Sequence, residues 1–248
     1  MAQQFEHAML REIYEQPEAI KQTLAQYLEG GALREASFGS AAKIVQEHRD
    51  LIISASGSSR HAGLAAEIML EDTAGMAVDV EYASEYITRS SNTKRDPAVL
   101  VISQSGETAD TLMALREAIQ RGHPTLAVTN VAASSMAREA TVSLPTCAGV
   151  EKAIPATKSF TTQLVVLRLL SLLAAEARNE ISAQVLAKQI TLLNALPEAI
   201  EKQLDGWQDA TRGLKLKVVK PIQIAGDEQH GCGSPIREDV SQQFTSQH

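Results

Sequence analysis

Val99-Leu100-Val101-Ile102-Ser103-Gln104-Ser105-Gly106-Glu107-Thr108 turns abruptly from branched apolar residues to hydroxyls around a glycine. The apolar half does not alternate with polar residues, which marks a short strand buried on both faces. The polar half is a loop, and the following residues, to Arg121, read as a helix. The same grammar recurs on either side. Leu51-Ile52-Ile53-Ser54-Ala55 is a buried strand that enters Ser56-Gly57-Ser58-Ser59 and a helix to about Thr73. Val78–Tyr82, Leu126–Thr129 and Val142–Leu144 complete five strands, with a short helix after Ser134. Apolar strands alternating with helices predict an α/β fold, a three-layer αβα sandwich on a five-stranded parallel doubly wound sheet flanked by helices.

Outside this core, Phe5, Leu10, Ile13 and Tyr14 mark the apolar face of one helical piece, and Ile20, Leu24 and Leu28 that of a second. Pro17 suits the first turn of the second piece, where its missing N–H costs nothing, and Gly30-Gly31 should end it. These pieces could pack on the domain or clasp another subunit. Two long helices are expected over about Thr157–Arg178 and Ser182–Leu204, and Lys220–Gly226 resembles the opening strand of another α/β unit. The chain is thus expected to divide into an N-terminal helical segment (1–35), the sandwich (36–180), a linking helix (181–212) and a truncated or degenerate start of a second such unit (213–248).

Composition narrows the function. The 248 residues carry 23 Lys+Arg against 30 Asp+Glu, a net charge of −7, with 4% aromatics. A nucleic-acid binder needs a basic face, so no nucleic-acid partner is expected. The start, Met1-Ala2-Gln3-Gln4-Phe5, lacks the basic and apolar regions of a signal peptide, and Leu164–Ala175, interrupted by Arg168, is too short for a membrane span. Cys147 and Cys232 have no metal-ligand spacing. A cytoplasmic protein without membrane association, metal or cofactor is expected.

Ligands of open α/β sheets bind at the carboxyl ends of the strands. Ser56-Gly57-Ser58-Ser59 offers there free backbone N–H groups, a helix N-terminus and hydroxyls, which fit a phosphate monoester; helix capping by serine is the competing use. Ser103, Gln104, Ser105 and Thr108 repeat the set on a second strand. Neither loop contains G-x-x-x-x-G-K-[ST] or G-x-G-x-x-G, so a nucleoside triphosphate or dinucleotide is not expected. Arg60 and Lys158 could balance charge, or be solvated. His61 could border the site or simply pack. Glu151, in the loop before the long helix, could face sugar hydroxyls or solvent.

Ile13-Tyr14-Glu15-Gln16-Pro17, Val78-Asp79-Val80-Glu81 leading to Ala83-Ser84-Glu85, Ser103–Leu112 and Ala156-Thr157-Lys158-Ser159-Phe160-Thr161-Thr162-Gln163-Leu164 occur in that order. Together they resemble the isomerase half of the glutamine–fructose-6-phosphate aminotransferases (glucosamine-6-phosphate synthases), which is built from sugar isomerase (SIS) domains. The resemblance implies that Ser59, Ser103, Gln104, Ser105 and Thr108 hold the substrate phosphate, that Gly57 and Ser58 shape their loop, and that Ile154 and Glu151 approach the sugar, Glu151 as a catalytic candidate. It implies a homodimer acting on a hexose 6-phosphate, fructose 6-phosphate or glucosamine 6-phosphate, by aldose–ketose isomerisation with amination or deamination. Nothing in this sequence corresponds to the family's glutaminase domain, so glutamine-derived ammonia is not expected from it, and of the second domain's catalytic pattern the nearest match is Glu238-Asp239-Val240-Ser241, with Asp239 in place of the family's Glu. The alternatives are a non-catalytic sugar-phosphate sensor or an inactive truncated fragment.

Overall fold

The structure is a computed structural model that describes residues 5, 7–89 and 95–211. The expected strand at 220–226 and the Asp239 segment lie outside the described residues. The described residues up to 210 form one compact unit.

Helices α1 (Ala8–Tyr14) and α2 (Gln16–Tyr27) open the chain, with Pro17 in the first turn of α2. The sequence places the end of α2 at Gly30-Gly31. Instead it stops at Tyr27, and β1 (Leu28–Glu29) pairs antiparallel with β2 (Ala32–Leu33). Gly30 and Gly31 form the two-residue turn of this hairpin, both at positive φ (58° and 82°), as a turn matched to strand twist requires. A 3-10 turn (Glu35–Phe38) and α3 (Ala41–Glu47) lead into the sheet.

The remaining elements alternate. They are β3 (Asp50–Ala55), α4 (Gly57–Ala74), β4 (Ala77–Tyr82), α5 (Ala83–Thr88), β5 (Ala98–Ser103), α6 (Ala109–Gln120), β6 (Thr125–Thr129), α7 (Ser135–Glu139) and β7 (Val142–Pro145), followed by α8 (Lys158–Ala177) and α9 (Ala183–Thr211). All five strands from β3 to β7 are parallel, in the order β4-β3-β5-β6-β7.

Two apolar layers sandwich this sheet. Successive side chains of a strand point to opposite faces, so Leu100 and Ile102 of β5 join one layer and Val99 and Val101 the other. The first layer holds α2, α4 and α8, with Ile20, Leu24, Leu70, Val166 and Leu170 buried. The second holds α5, α6 and α7 through Tyr86, Leu115 and Met136. The N-terminal helices therefore pack on the domain: the Tyr27 hydroxyl donates to the Pro145 carbonyl at the end of β7 (2.8 Å). Helix α8 is long and apolar enough to cross a membrane by composition, yet 67% of its most apolar stretch is buried in the core layer.

Candidate functional site

The strand order reverses between β3 and β5. From β3 the chain moves outward to β4, then returns across β3 to build β5, β6 and β7. At such a point the connecting helices leave to opposite faces and a crevice opens beyond the strand ends. Both serine loops lie there. Ala55 pairs with Ile102 in the register of β3 and β5, so Ser56 and Ser103 leave neighbouring strands at one level.

Backbone geometry shapes both loops. Gly57 begins α4 at φ +57° with nothing within 4 Å of where a Cβ would stand, and Gly57 and Ser58 are exposed. Gly106 is confined further: at φ +65°, a Cβ would come within 2.2 Å of Ser134 Oγ and 2.7 Å of Thr129 Oγ1. Only glycine takes this conformation at no steric cost and lets the loop lie against α7.

The hydroxyls are held by the protein in a way that leaves protons to give. Ser105 Oγ accepts from Glu107 N (3.2 Å) and Ser103 Oγ from Gly106 N (3.1 Å). Ser103 Oγ also lies 2.9 Å from Thr108 Oγ1. A hydroxyl has one proton and two acceptor lone pairs, so Ser105 keeps its proton and the Ser103–Thr108 pair keeps one between them. Gln104 is fixed through its carbonyl, which accepts from Asn130 N (3.1 Å). Ser59 is nearly buried, and its Oγ accepts from Gln163 Nε2 of α8 (3.1 Å). Thr108 precedes α6 without capping it by its side chain, and Ser56 likewise precedes α4. The first-turn N–H groups of two helices, each a local positive end, thus stand with serine hydroxyls on one edge.

Neither candidate cation faces the loops as a free charge. The Arg60 guanidinium lies 4.0 Å over the Tyr82 ring, and Lys158 Nζ, almost buried, pairs with Glu15 Oε2 at 2.6 Å. His61 is exposed, with Nδ1 3.0 Å from the Gly57 carbonyl. Glu107 accepts from Ser135 N (2.6 Å), and this backbone hydrogen bond holds its carboxyl below the ordinary value of 4.5.

Loop 146–157 leads from β7 to α8 beside these loops. Ile154 projects from it, 86% exposed. Glu151 turns toward the start of α8. Its Oε1 accepts from Thr157 N (2.9 Å), Thr157 Oγ1 (3.2 Å) and Ser159 N (3.2 Å), and its Oε2 from Ser159 Oγ.

Three further residues matter here that sequence reasoning missed. Glu12 of α1 is fully buried and accepts from Lys152 N (2.6 Å) and Ala153 N (3.2 Å). Asn130 accepts from Ala148 N (2.7 Å) and donates to the Gly149 carbonyl (2.7 Å). Gln163 is the third. Two of the quoted motifs also interlock: Glu15 meets Lys158, and Gln16 Oε1 accepts from Thr161 Oγ1 at 2.5 Å.

The SIS domain profile matches residues 43–173, which contain the whole parallel sheet and most of α8. The chain belongs to the SIS domain family. It is 42% identical over 219 residues to the glutamine–fructose-6-phosphate aminotransferase (isomerizing) of Acinetobacter baylyi, an alignment covering 86% of this chain and 35% of that protein. The enzyme of the same name from Halobacterium salinarum is 41% identical over 202 residues, covering 81% of this chain and 34% of the relative. Among solved structures, the C-terminal domain of glucosamine-fructose-6-phosphate aminotransferase from Francisella tularensis superposes with a TM-score of 0.81 at 35% identity, over 84% of this chain and 59% of that one. This SIS chain therefore spans about a third of the length of the curated relatives it matches.

Proposed function

We propose that this chain grips the phosphate of a hexose 6-phosphate at the edge between β3 and β5, as the substrate-holding part of an isomerase/aminotransferase-type enzyme. The observation that carries the reading is the meeting of two helix N-termini and proton-bearing serine hydroxyls at the point where the strand order reverses. Backbone N–H groups and hydroxyls together bind a dianion without a metal or a lysine. In this reading Gly57 and Ser58 shape the first loop, while Ser59, Ser103, Gln104, Ser105 and Thr108 hold the phosphate oxygens. The relatives' names supply the substrate class, fructose 6-phosphate or glucosamine 6-phosphate. A cytoplasmic location and a homodimer rest on the family resemblance alone.

Isomerisation also needs a carboxylate free to move a proton between adjacent carbons. Four hydrogen bonds from Thr157 and Ser159 already hold Glu151, three on Oε1 and one on Oε2. Its proposed task is therefore to anchor the loop that presents Ile154 to the sugar. This occupancy favours a second reading, sugar-phosphate binding without turnover by this chain alone.

The test pairs binding with turnover. Fructose 6-phosphate and glucosamine 6-phosphate at millimolar concentration should raise the melting temperature of the chain and of neither Ser105→Ala nor Ser103→Ala, because a ligand stabilises the state that binds it. NMR with added ammonium then reports whether the two sugars interconvert. A shift without interconversion supports the binding reading over the enzymatic one. The absence of any shift discards both.

A further inference from the structure

Gln163 plays no part in the phosphate grip described above, yet it is 98% buried and touches that grip. Its Nε2 donates to Ser59 Oγ across 3.1 Å, while its Oε1 has no hydrogen-bond partner among the described residues. A buried amide oxygen left unpaired is costly, so core packing alone would favour an apolar side chain. The direction of the bond matters. A serine hydroxyl that accepts an N–H has its own proton free to donate elsewhere. The same amide turned over would accept that proton and draw it inward, away from the loop.

We infer that Gln163 is a positioning residue, whose amide orients the Ser59 hydroxyl so that it donates to the bound phosphate. The inference rests on the phosphate-site reading and deepens it. It also gives α8 a part in ligand recognition: the helix that fills the core below the sheet sets a proton direction at the sheet's edge. Glu151, Lys158 and Thr161 tie the start of this helix to the neighbouring loop and to the N-terminal helices. Gln163, one turn beyond Ser159 on α8, hydrogen-bonds Ser59.

The experiment is a double-mutant cycle on the full chain, with fructose 6-phosphate as probe and Kd read by calorimetry. Gln163→Met keeps the volume and removes the donor. Gln163→Glu, when ionised, can only accept from Ser59 and also brings a negative charge toward the phosphate. Expected are about tenfold weaker binding for Gln163→Met, the loss of one charge-assisted hydrogen bond, and a larger loss for Gln163→Glu. In a Ser59→Ala background Gln163→Met should change Kd by less than about twofold, because a residue acting through Ser59 has nothing left to orient. A purely structural role predicts instead equal losses for Gln163→Met with and without Ser59. Melting temperatures establish that each variant folds, and Gln163→Leu, which also removes the donor, carries the cycle should the methionine variant not fold. Wild-type affinity in Gln163→Glu, or equal losses with and without Ser59, overturns the inference while leaving the phosphate site in place. Unchanged affinity in Ser59→Ala overturns both.

Discussion

Replacing Glu12 by alanine should loosen the edge of the site from a distance. Glu12 is fully buried in α1, and its carboxylate accepts from Lys152 N at 2.6 Å and Ala153 N at 3.2 Å, with Arg11 Nη2 3.9 Å away. Each hydrogen bond to a charged group contributes about 1.5–3 kcal/mol. Lys152 is exposed and Ala153 half-buried, so water can replace part of what is lost, and the lower end of the range applies. The two bonds together then give about 3 kcal/mol. For a chain of this size about 1 kcal/mol moves the melting temperature by roughly 2–4 °C, so Glu12→Ala should melt roughly 6–12 °C lower. Glu12→Gln, which keeps one acceptor, should lose about half as much. A local readout accompanies the melt. Trypsin should cut after Lys152 faster in Glu12→Ala than in wild type, whereas Lys158, buried against Glu15, should remain protected. A melting temperature within about 1 °C of wild type, with unchanged cleavage at Lys152, would refute the reasoning.

Two further outcomes follow from the serine loops. Gly57→Ala and Gly106→Ala both place a Cβ at positive φ, at roughly 1–2 kcal/mol, but only at Gly106 would that Cβ collide, within 2.2 Å of Ser134 Oγ. Chemical denaturation should therefore show the larger loss for Gly106→Ala, and the reverse order would contradict the packing of this loop on α7. The Glu107 carboxyl, lowered by its bond from Ser135 N, should stabilise that contact at neutral pH and lose it as pH falls through its folded value, below the ordinary 4.5. Amide exchange at Ser135 should accelerate across that window in wild type and show no such step in Glu107→Gln.

The parallel sheet was legible because strands buried on both faces leave continuous apolar runs: Val99–Ile102 and Leu126–Thr129 lie within β5 and β6 as read. The strand order was not, since nothing in the runs says which neighbours which. It emerges only from the pairing of Ala55 with Ile102 rather than from chain order. The hairpin at Gly30-Gly31 escaped because two-residue strands have no period. The short helix α5 escaped for a similar reason, being less than two turns of mixed composition. In the candidate site, Ser103–Thr108 announced itself by its crowded hydroxyls. Glu12 did not: its partners are two backbone N–H groups about 140 residues away, and main-chain donors carry no residue identity to search for. Gln163 was visible only as a letter in a quoted motif, because its meaning lies in which end of its amide meets Ser59.

The buried carboxylate of Glu12 also bears on the order of assembly during synthesis. A nascent chain exposes Glu12 first and its donor Lys152 140 residues later, an interval of roughly 7–28 s at ribosomal speeds of about 5–20 residues per second. Throughout that interval the Glu12 carboxylate lacks these two backbone donors and stays in water. The helix can swing home only when the last strand and the stretch beyond it have left the ribosome. A helix made before the sheet is thus among the last to settle, and it holds the stretch beyond the last strand in place.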